Sequence, residues 1–462
     1  MKRILMALFL AFALMVPVSV FAIGGLNESY VLQTGFYNDA IVNQFSFNGI
    51  NLSKVEQDGY GNLANIDQTG NIFGLNISDV LQAGKENVAL VDQDAFKGTN
   101  ISCIKQFGLQ NLATIYQLAI DGLNISAAKQ AGKYNAAYIN QYAVLNAANI
   151  SGVEQDGTAN LADVDQDAFM TALNISSILQ AGKYNAAFVD QNAAFIAENI
   201  SAIEQIGIHN VANVLQNAYD VALNISGIEQ AGSNNLANVD QFAAKFGLNI
   251  SAIKQFGLGN VANVEQDAVG FGLNESFIKQ VGEANLANVK QFATGFGMNA
   301  SSVEQVGSNN LANVLQMAFG GLNISGIDQV GYANVANVKQ LAFKRGVNLS
   351  GIGQYGFQNL ANVSQFAIAG LNASDVFQMG WFNTALVKQV ALAGTNTSYV
   401  KQTGWNNLAD VDQFAWNGVN MSGVEQFGTD NVALVKQGAI YGINLSYVGQ
   451  YGVGNYAFVS QF

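Results

Sequence analysis

Asn249-Ile-Ser-Ala-Ile-Lys-Gln255-Phe-Gly-Leu-Gly-Asn260-Val-Ala-Asn-Val-Glu-Gln266 is the stretch from which the fold follows. Every second residue belongs to one set: Asn249, Ser251, Ile253 and Gln255, then Asn260, Ala262, Val264 and Gln266. Strict alternation, with a β-branched residue in each half, argues for two short strands. The halves read N-x-S-x-h-x-Q and N-x-A-x-V-x-Q, where h is Val or Ile. Gly257 lies between them, where a tight turn needs positive φ.

The unit recurs along the chain. Its leading Gln falls at Gln33, Gln57, Gln82 and onward to Gln450, 18 times at steps of 24 or 25 residues. Inside each unit the spacing is constant. Gly follows the first Gln by two, Asn by five, Ala by seven and a second Gln by 11; Ser precedes it by four and Asn by six. Length variation falls in the connector after the second Gln, for example Phe242-Ala-Ala-Lys-Phe-Gly-Leu248. A connector that absorbs length changes reads as a loop, and an invariant core reads as a stacked register.

A seven-residue strand spans about 23 Å. One strand–turn–strand layer cannot bury its own backbone edges. A second layer about 4.8 Å above it pairs each strand with its own copy, in parallel and in register. The predicted fold is therefore all-β: a flattened parallel β-solenoid of the cross-β kind, one strand–turn–strand layer per 24–25-residue repeat. Its 18 layers would extend about 85 Å. The alternating set points into the gap between two facing sheets. Val or Ile holds the inward position nearest the first Gln in every unit but that of Ala128, and the position nearest the second Gln is always β-branched.

The Asn and Gln columns follow from the cost of desolvation. A buried amide without a partner costs about 1–3 kcal/mol. Stacked amides avoid that cost, each donating to one neighbouring copy and accepting from the other. Asn249, Ser251, Gln255, Gly257, Asn260, Ala262 and Gln266 are thus the predicted structural ladder. The alternative places these amides in solvent, where nothing demands the same residue in every unit. Outward positions vary more: Glu204 and Glu229 give way to Lys254 and Lys279, then to Glu304 and Asp328. Such charges, with Gly152, Gly227 and Gly326, oppose edge aggregation. The apolar outward residues Ile225, Leu236, Phe242, Phe246 and Leu248 either cover one another or form a lateral contact surface.

Bulk properties narrow the function. Half of the 462 residues are hydrophobic, 11% are charged, one is proline, and the net charge is −13. That excludes a disordered chain and collagen. An acidic chain without a basic stripe is not a nucleic-acid binder. Residues 1–22 read as a secretory signal, with Lys2 and Arg3, an apolar run from Ile4 to Val16, and cleavage after Ala22. The run is short for the alternative, a membrane anchor. The domain predicted after it is 23–462. Cys103 is alone, so rigidity must come from the repeat and not from an internal disulfide. His209, the only histidine, is a turn residue of one unit. No Cys/His cluster suits zinc, no Gly-rich loop ends in Lys-Ser/Thr, and no unit gathers carboxylates for sugar hydrolysis. No enzyme, cofactor or metal site is expected. The N-x-S motifs, such as Asn174-Ile-Ser176, fall inside the stack, where a glycan would prevent stacking.

The core Q-x-G-x-x-N-x-A-x-V-x-Q, here Gln230-Ala-Gly232-Ser-Asn-Asn235-Leu-Ala237-Asn-Val239-Asp-Gln241, resembles the curlin repeat of curli, the pilus-like extracellular amyloid fibres of bacterial biofilms. The resemblance covers residues 27–462. It departs from the familiar curlins in three respects. Asn rather than Ser stands six before the first Gln, the connector is longer and more apolar, and no Gly-rich segment precedes the first repeat. The resemblance implies a secreted structural subunit of fibres in a biofilm matrix, serving cell adhesion. Its partners would be further copies of itself, a nucleator subunit, an outer-membrane export pore, and surface or matrix contacts.

The ends carry the assembly prediction. The first unit opens on Asn27, Ser29 and Gln33, and the last closes on Asn455, Ala457, Val459 and Gln461. Neither shows a polar capping segment, so each is expected to template the other in head-to-tail polymerisation. Two other classes stand beside this reading. A monomeric secreted solenoid serving as adhesin or ligand-binding surface would need caps. An outer-membrane β-barrel, suggested by the terminal Phe462, would need longer antiparallel strands with a lipid-facing side.

Overall fold

The computed structural model describes residues 24–462, so the signal reading of residues 1–22 lies outside the described part. The chain is all-β, as the repeat predicts: each repeat contributes two strands, and no helix occurs among the described residues. Two compact units are present. One reaches to Val221 and includes Ser226–Glu229; the other comprises Ala222–Ile225 and Gln230–Phe462.

Each unit is a parallel β-solenoid. In the first, the first strands of successive repeats run from Leu26–Phe36 to Glu198–Ile208 and pair with Gln33 opposite Gln57 and Gln180 opposite Gln205. The second strands, Asp39–Phe47 to Val211–Tyr219, form the facing sheet, with Gln44 opposite Gln68. In the second unit the same register places Gln255 opposite Gln280 and Gln266 opposite Gln291. The pairing between successive copies is parallel in both sheets of both units, whereas a membrane barrel requires antiparallel neighbours.

Burial follows the period-2 rule. Ile253 and Val264 are almost fully buried between the sheets, as is Ala262, and the neighbouring outward residues are half-buried or exposed. A further inward alanine column, Ala243 and Ala268 for example, lies where the connector was expected to be irregular.

Strand length and the turn depart from expectation. First strands have 11 residues and complete second strands nine, not seven. Backbone pairing between identical layers does not depend on which way a side chain points, so it continues past both glutamines. Phe242-Ala-Ala therefore belongs to the strand Leu236–Ala244, and the connector shrinks to Lys245, Phe246 and Gly247. Gly257 is not at the turn. It sits inside the strand Leu248–Leu258 at φ +123°, and the left-handed turn residue is Gly259 at φ +64°. The equivalent turn place elsewhere holds Tyr134, Tyr184, His209 and Asn234, with φ of 55–56°.

The glycine column is required by close approach. A Cβ built on Gly257 would lie 2.0 Å from the carbonyl oxygen of Gly282 in the next layer. The connector aromatics cover one another. Phe246, Phe271 and Phe296 stack with ring centroids 4.8 and 4.9 Å apart and planes within 8°.

The amide ladders as candidate functional site

Around Gln255 the two glutamine ladders run in one direction. Gln230 Nε2 donates to Gln255 Oε1 at 2.8 Å, and Gln255 Nε2 donates to Gln280 Oε1 at 2.8 Å. The other N–H of Gln255 donates across to the Leu236 carbonyl at 3.0 Å. Gln266 repeats the arrangement, donating to Gln291 Oε1 at 2.8 Å and to the Ile250 carbonyl at 3.0 Å. The facing strand's carbonyl decides which end of each amide carries nitrogen, because only an N–H can satisfy it.

The asparagine ladders run the other way. Asn274 Nδ2 donates back to Asn249 Oδ1 at 2.9 Å, and Asn249 Nδ2 donates back to Asn224 Oδ1 at 3.0 Å and to the Phe242 carbonyl at 2.7 Å. Asn260 closes the turn. Its Nδ2 donates to Asn235 Oδ1 at 3.1 Å, to the Phe256 carbonyl at 3.3 Å and to the Gly282 carbonyl at 3.1 Å. Its Oδ1 accepts from the backbone N–H of Asn285 at 3.2 Å and from Asn285 Nδ2 at 3.0 Å. Ser251 accepts from Gln241 Nε2 at 3.3 Å, whereas Ser276 Oγ is buried without a partner. Each layer is therefore polar. Its inward glutamines donate toward the chain's C-terminus and its inward asparagines toward the N-terminus.

Replacing Gln255 with alanine leaves the Gln230 N–H and Gln280 Oε1 each short of a partner, together with the Leu236 carbonyl. A loss of about 2–3 kcal/mol is expected. Lys254→Ala, on the outer face, should cost within about 0.5 kcal/mol. Urea titration of the two variants compares them, and equal losses would contradict the assignment of faces.

One ladder is missing from the sequence reading, which took outward positions as variable. Asn263 donates to Asn288 at 2.8 Å, Asn288 to Asn313 at 2.9 Å, Asn313 to Asn337 at 2.8 Å and Asn337 to Asn362 at 2.6 Å, all on the outer side of the second sheet. The recurring tetrapeptide Leu/Val-Ala-Asn-Val is the signal that marks it.

The terminal residues singled out from sequence lie on exposed layers. The strand Leu26–Phe36, with Asn27, Ser29 and Gln33, is exposed throughout. In the strand Tyr456–Gln461, Ala457, Val459 and Gln461 are half-buried and alternate with exposed residues, and Asn455 just before it is half-buried.

Charge is patterned on the outer faces. Lys279 pairs with Glu304 at 2.7 Å and Lys129 with Glu154 at 2.7 Å, across adjacent layers. The outer face of the second sheet in the first unit is acidic. The pKa values of Asp92, Asp163, Asp167 and Asp190 are raised from their ordinary value, first by partial burial and then by neighbouring carboxylates. Such a group binds its proton more tightly folded than unfolded. Unfolding free energy therefore falls as pH rises between the unfolded and folded values, and mild acidification stabilises this unit. The urea midpoint should be higher near about pH 4, at the ordinary carboxylate value, than near about pH 8; the reverse order would contradict this sign.

Among the described residues no group of three or more His, Cys, Asp or Glu side chains is arranged to hold a metal ion. His209 occupies a turn and stacks on Tyr184 with centroids 5.0 Å apart. Cys103 is a free, half-buried thiol whose pKa burial pushes up. Neither protein-family models nor curated proteins match this chain.

Proposed function

We propose that this chain is the structural subunit of an extracellular, curli-like amyloid fibre, assembled by head-to-tail stacking of its solenoid layers. A parallel β-solenoid suits a structural or adhesin-like role, since its repetition yields a regular, repeating surface. The resemblance to the curlin repeat supports the extracellular fibre in particular.

The observation that carries the reading is the polarity of the ladders at the outermost described layers. Gln33 and Gln44 donate inward, to Gln57 at 2.7 Å and Gln68 at 2.8 Å, which leaves their Oε1 atoms facing outward. Asn27 Oδ1 accepts from Asn51 at 2.9 Å, and one Asn27 N–H goes to the Gln44 carbonyl, so the other faces outward. The last layer of the second unit is the complement. Gln450 and Gln461 accept from Gln426 and Gln437 and give one N–H each to Val432 and Leu445 carbonyls, leaving one N–H outward. Asn444 gives both N–H groups to Asn420 Oδ1 and the Gly438 carbonyl, so its Oδ1 is open.

A second copy stacked in the same direction can offer Asn27 N–H to Asn444 Oδ1, and receive Gln450 and Gln461 N–H on Gln33 and Gln44 Oε1. Reversed, it sets donors against donors. Same-direction stacking is heterologous and does not close, which gives a filament.

Electron microscopy and fibre diffraction of the chain without residues 1–22 test this. Filaments with a meridional spacing of about 4.8 Å and a sheet spacing of about 10 Å are expected. Val459→Asp places a charge in the apolar column at one end only, and seeded elongation should slow by about tenfold or more. A chain that stays monomeric, or a Val459→Asp variant that elongates normally, would overturn the reading.

A further inference from the structure

The outer face of the second sheet carries a separation of charge that end-to-end stacking does not use. In the first unit, the second strands from Asp39–Phe47 to Val211–Tyr219 carry eight aspartates and no lysine or arginine. In the second unit, the second strands from Leu236–Ala244 to Val432–Ala439 carry all the lysines of this face, Lys290, Lys339, Lys388 and Lys436, beside Asp240, Glu265, Asp267, Asp410 and Asp412. The same bias holds more widely: residues 24–221 have 19 acidic and 7 basic side chains, and residues 222–462 have 13 and 10.

The two sets hold the same position in the repeat. Asp67, Asp92, Asp165 and Asp190 each stand immediately before the inward second glutamine, and so do the four lysines. The lysines recur on every second layer, about 10 Å apart. All four are exposed; Lys290 is paired with Glu265, while Lys339, Lys388 and Lys436 make no ion pair among the described residues. The aspartates likewise have no cation on their own strands.

We infer that this face joins copies side by side, the lysine row of the second unit in one molecule docking on the aspartate column of the first unit in another. The layers of both rows advance by about 4.8 Å, so Lys339 docked on Asp92 sets Lys436, four layers on, beside Asp190. A single exposed ion pair contributes little. A row repeated along a filament acts multivalently, and its sum decides between single filaments and bundles. Head-to-tail growth is not required for this contact, so its failure and the failure of polymerisation are separable.

The test combines charge reversal with salt. The full chain is followed by sedimentation and by filament width in electron microscopy, with thioflavin kinetics recording elongation separately. In low salt wild type should bundle, and near about 1 M salt, where screening acts within about 3 Å, the bundled fraction should fall by about tenfold. Lys339→Glu/Lys388→Glu/Lys436→Glu should lose bundling in low salt while elongating normally. Asp67→Lys/Asp92→Lys/Asp165→Lys/Asp190→Lys should do the same, with circular dichroism checking that both variants fold. Mixing the two variants should restore bundles, because each then meets opposite charge. Unchanged bundling in the lysine variant, or no rescue on mixing, would overturn the proposal. So would single filaments in low salt that gather only when an added polyanion such as heparin binds the lysine row.

Discussion

Gly257→Ala is expected to destabilise the second unit by about 4 kcal/mol, combining the cost of a backbone conformation reserved for glycine with that of overpacking. At φ +123° an L side chain is strained before any contact is considered. The added Cβ would meet the Gly282 carbonyl oxygen at 2.0 Å, and that atom is backbone held in a ladder, not a side chain that can turn aside. The layers would have to separate locally, weakening the neighbouring Gln255–Gln280 and Asn260–Asn285 bonds, which depend on the same spacing. Gly326→Ala is the control. It lies on the outer face with nothing within 4 Å of a built Cβ, so it should be neutral or stabilise by up to about 1 kcal/mol. Urea midpoints and amide hydrogen exchange across residues 249–291 report both. Equal behaviour of the two variants would show that close approach does not explain the glycine column.

Asn260→Ala should cost about 3–6 kcal/mol, more than Gln255→Ala, because it orphans more buried groups. Gln255 serves its two ladder neighbours and one carbonyl. Asn260 serves Asn235, two backbone carbonyls and, through Oδ1, the backbone N–H and side chain of Asn285. A buried backbone N–H has no rotamer with which to seek another partner. Asn260→Asp probes the two roles apart: the carboxylate can still accept from Asn285 but donates nothing to Phe256, Gly282 or Asn235. It should therefore lose part of the stability, with the Asn285 amide remaining protected from exchange. An alanine variant no weaker than Gln255→Ala, by urea titration, would mean that the turn asparagine is satisfied by solvent.

The solenoid and the parity of its side chains were legible in the sequence because both are local properties. A strand alternates its faces whatever lies beside it, so Asn249, Ser251, Ile253 and Gln255 had to share one side. Constant spacing from Gln33 to Gln450 left a stack of like layers as the arrangement that serves every repeat equally. The outer asparagine ladder from Asn263 to Asn362 was also written there, but period-2 reasoning sorts residues into faces and does not ask whether an exposed face repeats. What only the tertiary structure decided concerns relations between strands. Gly257 looked like a turn residue, yet its need for glycine comes from Gly282 one layer away, a contact with no counterpart in the local pattern. The direction of each ladder likewise depends on the facing strand. The Leu236 carbonyl orients Gln255 and the Phe242 carbonyl orients Asn249. Sequence alone specifies that these amides stack, but a side-chain amide can point either way along its column. The carbonyls across the gap select one sense for the inward glutamines and the other for the inward asparagines, and so give each layer two different sides.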